Sequence, residues 1–266
     1  MDLRGSKALV TGGAVRIGAA ITRQLAEAGC SVVIHCNRSW DAAEALAETI
    51  RHADGTAFVV GGDLADAAEC STIIEEAHKL AGGLDILVNN AAVFHKHRFA
   101  EADRAAILAE LDINAFAPID LTRRFVALAG AGGRLSTEAP WLRGKIVNLL
   151  DRRITGTEPG HLPYQLSKHM LADFTRLAAL ELAPGFSINA VAPGPVLGPP
   201  GTGGRYLKES AGEIPLACAC SPDAVAESVL FLLRQDTITG QVIFVDGGQH
   251  LLGNVLRRKP EGDTRG

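Results

Sequence analysis

The sequence predicts an α/β fold, a single domain built on a doubly wound parallel sheet with helices on both faces. Three observations predict it. Short continuous runs rich in Val, Ile and Leu recur along the chain, as in strands covered on both sides. Between them lie segments whose apolar residues return at helical spacing. The connections are short, with no internal repeat and no linker that would divide the chain.

The elements follow in order. Residues 7–11 (KALVT) read as a strand that Gly12-Gly13 break. From Arg16 to Ala28 apolar residues recur at helical spacing, and Gly29 stops the helix. Residues 31–36 (SVVIHC) form a second strand, Asp41 to about His52 a helix, and 56–60 (TAFVV) a third strand. The alternation continues with a helix over 67–81, a strand over 84–89 and one or two helices within 101–129. Then come the strand Ile146–Leu150, a helix carrying Tyr164, a strand over 186–191, a helix over roughly 222–234 and a strand over 241–245. Parallel pairing with right-handed crossovers follows from this order. The domain spans 1–256, and residues 257–266 are a polar tail.

With 266 residues, 47% hydrophobic and 21% charged, the chain can bury a large core. A formal charge of −4 argues against a nucleic-acid partner. No window approaches the roughly eighteen apolar residues of a membrane span, and the first residues lack the apolar core of a signal peptide. Five cysteines form no regular framework, and Cys218-x-Cys220 has no second pair or histidine cluster beside it, so no metal is expected. A reduced, cytoplasmic protein is the simplest expectation.

Chemistry gathers between Lys145 and Lys168. The apolar run from Ile146 delivers Asp151 to a strand end; Tyr164 comes thirteen residues later and Lys168 four after that. Positions i and i+4 share a helix face, so a carboxyl, a phenol and an amine can converge for proton transfer. From these residues alone a surface turn before an ordinary amphipathic helix is an equal reading. In a doubly wound sheet the ligand crevice lies at the strands' C-terminal ends. There the first turn reads TGGAVRIG, Thr11 to Gly18. Gly12 permits a sharp turn, Gly18 a close helix approach, and the helix N-terminus at Arg16-Ile17 offers N–H groups to a pyrophosphate. Arg16 replaces the middle glycine of many such loops.

After the second strand come His35, Asn37, Arg38 and Ser39, with no acid before Asp41. Guanidinium, imidazole and hydroxyl donors suit a 2′-phosphate that a carboxylate would repel, so NADPH is expected over NADH; the competing reading of Arg38 is a solvated loop residue. Asp63-Leu64 could meet the adenine amine, and Asn90-Ala91-Ala92 let a cofactor pass closely. A capping role for Asp63 and a structural one for Asn90 stand beside these.

The motifs TGxxxRxG at 11–18, DL at 63–64, NNAA at 89–92, LDIN at 111–114, YxxxK at 164–168, NAVAPG at 189–194 and VDGG at 245–248 resemble the short-chain dehydrogenase/reductase family over nearly the whole chain. The resemblance implies a Rossmann-like fold, Tyr164 as general acid, and Lys168 lowering its pKa and holding the nicotinamide ribose. It further implies Asn114 anchoring a water-mediated proton relay, and Pro193 and Gly194 bordering the cofactor. Where the family usually has a serine, thirteen residues before the tyrosine, this chain has Asp151. A carboxylate only accepts hydrogen bonds and would repel a developing alkoxide, so a simple ketone is a poor substrate and a ring that takes its proton on nitrogen a better one. Arg16, the HxxRS run at 35–39, NAAVF ending at Phe94, NLLD ending at Asp151 and DGGQHL at 246–251 resemble the pteridine reductases, with dihydromonapterin and dihydrofolate reductases of the same fold. That resemblance implies Phe94 stacking over a pterin, which physics alone would read as a loop anchor, and Arg16 reaching both a cofactor phosphate and the pterin. It also implies a homotetramer. Ala92 departs from pteridine reductases that carry serine there.

The glycine- and proline-rich loop 193–215, with Arg205 and Tyr206, reads as a substrate lid or as solvated loop, and His95, Lys96 and His97 form a basic group beside Phe94. The expected function is an NADPH-dependent reductase of dihydropterins or dihydrofolate. The alternatives are a carbonyl reductase with Asp151 held protonated, and a catalytically silent nucleotide sensor, against which intact Tyr164 and Lys168 argue.

Overall fold

Seven parallel strands form one sheet in the computed structural model, which describes residues 2–129, 139–196 and 213–252. They are β1 (Lys7–Val10), β2 (Ser31–Cys36), β3 (Thr56–Gly61), β4 (Ile86–Asn89), β5 (Gly144–Leu149), β6 (Phe186–Pro193) and β7 (Val242–Val245). Their order across the sheet is β3-β2-β1-β4-β5-β6-β7. The chain crosses from β3 over to β4, so the order reverses between β1 and β4 and opens a crevice at their C-terminal ends.

Helices α1 (Arg16–Glu27), α2 (Trp40–His52) and α7 (Pro222–Arg234) cover one face. Helices α3 (Ala67–Ala81), α5 (Ala117–Leu128) and α6 (Leu162–Glu181) cover the other. Side chains alternate along each strand: Ala8 and Val10 join the first core, whereas Leu9 joins the second. Both faces being buried is why the strands read as unbroken apolar runs. Fully buried Ile, Leu and Phe side chains such as Ile21, Ile74 and Phe125 contribute about 1.5–3 kcal/mol each.

Local signals set the helix ends. Asp66 caps α3 by accepting from the N–H groups of Ala68 and Glu69, and Gly82, at φ 66°, ends it in the left-handed conformation. Ser221 accepts from the Ala224 N–H to cap α7.

The region read as one or two helices resolves into three pieces. Helix α4 (Arg104–Leu111) and α5 are joined by a π-turn at Asp112–Phe116. The extra residue in that turn rotates Asn114 inward, where it is fully buried; such turns recur at functional sites. The loop residues Arg205 and Tyr206 and the tail 257–266 lie outside the described residues.

Candidate active site

The glycine turn is held from three sides. The Thr11 hydroxyl accepts from the N–H groups of Asn90 (2.9 Å) and Ala91 (3.0 Å). The Asn90 amide donates to the carbonyls of Thr11 (2.9 Å) and Gly12 (3.1 Å). Asn90 therefore clips the end of β4 to the turn after β1. Any side chain at Gly18 would come within 2.0 Å of the Gly12 carbonyl oxygen, so only glycine fits. Arg16 is exposed and adopts φ 55°, a left-handed conformation that is strained for a residue with a side chain. Ile17 packs its side chain against the first core. The α1 N-cap, Val15, makes no side-chain cap, and the first turn holds no acid. These uncapped N–H groups at the start of α1 fit a pyrophosphate.

His35 corrects an expectation. Its ring is buried, with Nδ1 accepting from the Gly12 N–H (3.2 Å) and Nε2 facing the Gly62 carbonyl (3.1 Å). Burial holds its pKa below the ordinary value, which keeps the ring neutral. With both nitrogens committed to the backbone, His35 braces the turn and is not a phosphate donor. Asn37 and Arg38 are exposed at the end of β2. Ser39 sits at the N-cap of α2 without capping it, directly after the exposed Arg38. Asp63 accepts from the Ala65 N–H through Oδ1, and Leu64 is buried in the second core. Ala92 is exposed beyond Ala91, and Pro193 ends β6 before Gly194, whose N–H donates to Val245.

The chemistry gathers at the ends of β4 and β5. The Tyr164 hydroxyl donates to Asp151 Oδ2 (3.0 Å), so the carboxyl and phenol expected to converge do so. Lys168 Nζ donates to the Leu149 carbonyl (2.8 Å) and lies 5.9 Å from the Tyr164 ring centre. Asp151 also accepts from the Arg153 backbone N–H (2.8 Å) and from Arg153 Nη1 (3.0 Å). Glu158 completes the cluster, bonding Arg153 Nε (2.7 Å) and Arg152 Nη2 (2.5 Å). Phe94 stands edge-on to Tyr164 with ring centres 4.7 Å apart, stacks on His161 at 5.0 Å, and carries Arg153 over its face at 5.7 Å. Phe94 is half-exposed beside the phenol and does not anchor in the core.

The protonation states differ from expectation in one respect. Burial pushes the Tyr164 phenol well above its ordinary range, and the charge and hydrogen bond of Asp151 push it further; Arg153 opposes them. Lys168 was expected to lower this pKa; burial first, and the Asp151 carboxylate in direct contact second, hold it up instead. Burial brings Lys168 itself down to about 8, with Asp151 and Glu110 opposing the fall.

Asn114 holds the loop that bears Phe94. Its Oδ1 accepts from the Val93 N–H (2.8 Å), and its Nδ2 faces Val93 O (2.9 Å), Glu110 Oε2 (2.8 Å) and Ser167 Oγ (3.0 Å). Protein groups thus hold both the oxygen and the nitrogen of this side chain. Sequence reasoning missed Arg153, Glu158, His161 and Glu110. The Arg152-Arg153 pair directly after Asp151, and Glu110 one helical turn before Asn114, were the available signals.

Comparison with known proteins agrees with this geometry. A family model described as Enoyl-(Acyl carrier protein) reductase matches residues 13–250. The 3-oxoacyl-(acyl-carrier-protein) reductase of Aquifex aeolicus is 34% identical over 254 residues, covering 93% of this chain and 98% of the relative. The L-2,3-butanediol dehydrogenase of Corynebacterium glutamicum is 32% identical over 264 residues, covering 91% and 97%. Among solved structures, FolM alternative dihydrofolate reductase 1 from Brucella canis, complexed with NADP, superposes with a TM-score of 0.86 at 32% identity, covering 97% of this chain and 99% of that one. The likeness runs along nearly the full length, and the chain belongs to the short-chain dehydrogenase/reductase family.

Proposed function

We propose that the protein is an NADPH-dependent reductase of a pterin ring, of the dihydrobiopterin, dihydromonapterin or dihydrofolate type. The observation that carries this reading is Asp151 accepting the Tyr164 hydroxyl at 3.0 Å, where the family usually has a hydroxyl donor. The flat face of Phe94 beside that pair supports it, as does the similarity to a dihydrofolate reductase. NADPH would be held by the N–H groups of α1, by Arg16 and by the Asn37-Arg38-Ser39 edge, and would supply a hydride. The chain's own residues handle the proton. Burial keeps the phenol protonated, so a proton waits at Tyr164 Oη. Asp151 accepts an N–H of the ring and orients it. Giving up the proton leaves a phenolate beside Asp151, which Arg153 and Lys168 offset. The transfer is therefore favourable only as negative charge arrives on the substrate, which ties it to the hydride step.

The similarity to the ketoacyl and butanediol enzymes favours a second reading, reduction of a simple carbonyl. The test follows NADPH oxidation with dihydrobiopterin, dihydromonapterin and dihydrofolate against acetoacetyl thioesters and acetoin. Turnover confined to the carbonyls sinks the pterin reading.

Arg38→Ala should raise KM for NADPH about 10–100-fold, the worth of one or two charge-assisted hydrogen bonds, and leave KM for NADH nearly unchanged. Equal effects on both cofactors would remove Arg38 from the 2′-phosphate site. A homotetramer belongs to the same reading: Leu177 and Leu180 on α6 are 70% and 82% exposed, an apolar face that association would cover. Light scattering on the purified protein tests it. All five cysteines are free, and a reducing, cytoplasmic setting belongs to the same reading. Among the described residues no helix is long and apolar enough to cross a membrane.

A further inference from the structure

The segment joining β5 to α6 closes a ring of hydrogen bonds around the proton donor. Asp151 accepts the Tyr164 hydroxyl on Oδ2 (3.0 Å), and the same oxygen accepts from Arg153 Nη1 (3.0 Å). Arg153 Nε donates to Glu158 Oε2 (2.7 Å), while Arg152 donates to Glu158 Oε1. Gln165 then pins the Glu158 backbone from both sides. Its Oε1 accepts from the Glu158 N–H (3.0 Å), and its Nε2 donates to the Glu158 carbonyl (2.6 Å). Gln165 is buried and directly follows Tyr164 on α6, so the ring ends where it began.

Every link in this ring is a direct contact, and the hydrogen-bond capacity of Asp151 gives the ring a purpose. A carboxylate offers about four lone-pair positions. Among the described residues three are filled: Oδ2 by Tyr164 and Arg153 Nη1, and Oδ1 by the Arg153 backbone N–H (2.8 Å). One position on Oδ1 is left for a substrate donor. An arginine beside a carboxylate tends to close on it with two parallel N–H bonds, the strongest arrangement the pair can make. Here that closure would put a second guanidinium N–H on Oδ1 and fill the remaining position. Glu158 holds Nε and so fixes the guanidinium with Nη1 as the nitrogen that reaches Asp151. We infer that Glu158 is a positioning residue of the reaction: by anchoring Arg153 it keeps Asp151 aimed at Tyr164, with one acceptor position open to the substrate.

The inference rests on the proposed function, in which Asp151 accepts an N–H of the ring, and it deepens that reading. The substrates favoured are rings that present one N–H donor to Oδ1 while taking a proton from Tyr164 on another atom. The Glu158 side chain is 35% exposed and lines an open cavity beside Leu166 and His169. Truncating it therefore lets water reach the two guanidinium groups, and the fold should survive the loss.

Glu158→Ala should raise KM for dihydrobiopterin and lower kcat about 10–100-fold, since a misplacement of about 1 Å near the reacting groups can cost 10²-fold. KM for NADPH should be unchanged. In an Arg153→Met background the same substitution should cost almost nothing further, because the residue through which Glu158 acts is gone. A brace that served the fold alone would lower the melting temperature and leave kcat as it was. Should Glu158→Ala fail to fold, Glu158→Gln, which keeps an acceptor oxygen without the charge, takes its place in the cycle. Wild-type kcat in the single variant, or losses that simply add in the double one, would overturn the inference. Lack of turnover with every dihydropterin would instead overturn the proposed function and leave a crystal structure of Glu158→Ala to judge Glu158. There Arg153 should have closed on both Asp151 oxygens, and any other arrangement of that pair counts against the inference.

Discussion

Asp151→Ser should lower kcat on a dihydropterin about 10²–10³-fold and raise the rate on a small ketone. Two effects act together on the pterin. The substrate N–H loses its acceptor, and the Tyr164 hydroxyl loses the partner that aims it; misplacing a general acid typically costs 10²–10⁴-fold. On the ketone the signs reverse. A carboxylate about 4 Å from a developing alkoxide raises the barrier by about 4 kcal/mol at an effective dielectric near 20, whereas a serine hydroxyl donates to that oxygen. Removing Asp151 also removes two of the causes that raise the phenol, so its pKa falls toward the ordinary range and any alkaline limb due to Tyr164 falls with it. The fold should tolerate the change. Arg153 keeps Glu158 through Nε, so the loss is about 1–2 kcal/mol rather than the 3–5 of a stranded buried charge. Steady-state kinetics on both substrate types decide the matter. A variant that keeps more than half its kcat on every dihydropterin would defeat the pterin reading.

What the sequence made legible follows from which interactions are local. Strands buried on both faces appear as continuous apolar runs, so β1 to β7 were readable, and Tyr164 and Lys168 sit one helical turn apart within a single element. The strand-end position of Asp151 was readable for the same reason. What eluded reading depends on distant pairing. His35 looks like a phosphate donor beside Arg38, yet the Gly12 N–H takes Nδ1 and the Gly62 carbonyl takes Nε2. Glu110 looks like the polar face of a helix, and only the π-turn at Asp112–Phe116 and the return of the Phe94 loop bury it. Tyr164 was expected to be made more acidic by Lys168, but burial, which only the packed fold imposes, raises its pKa, and the contacting Asp151 raises it further.

Lys168→Met should abolish turnover while making the protein more stable at neutral pH. Burial lowers this ammonium from 10.5 to about 8, and each pKa unit corresponds to about 1.4 kcal/mol, so holding the charge inside the fold costs about 3 kcal/mol. Methionine is an unbranched side chain one atom shorter and without the charge. It strands the Leu149 carbonyl, which takes back about 1 kcal/mol, leaving a net gain near 2 kcal/mol and a Tm higher by about 4–6 °C. The pH dependence has a fixed sign. The folded-state value lies below the unfolded one, so the unfolded chain binds the extra proton between about pH 8 and 10.5, and wild-type stability rises with pH across that window. The wild-type penalty is complete below pH 8 and absent above 10.5, so the advantage of the methionine variant should shrink over the same interval. Activity runs the other way, being lost as the ammonium deprotonates through about pH 8. Opposed trends in stability and rate are expected of a group kept for chemistry and not for the fold. Thermal melts of both proteins at pH 7 and pH 10 test this directly: a variant that melts below the wild type at pH 7, or an advantage that grows toward pH 10, would show that Lys168 holds the structure together instead of straining it.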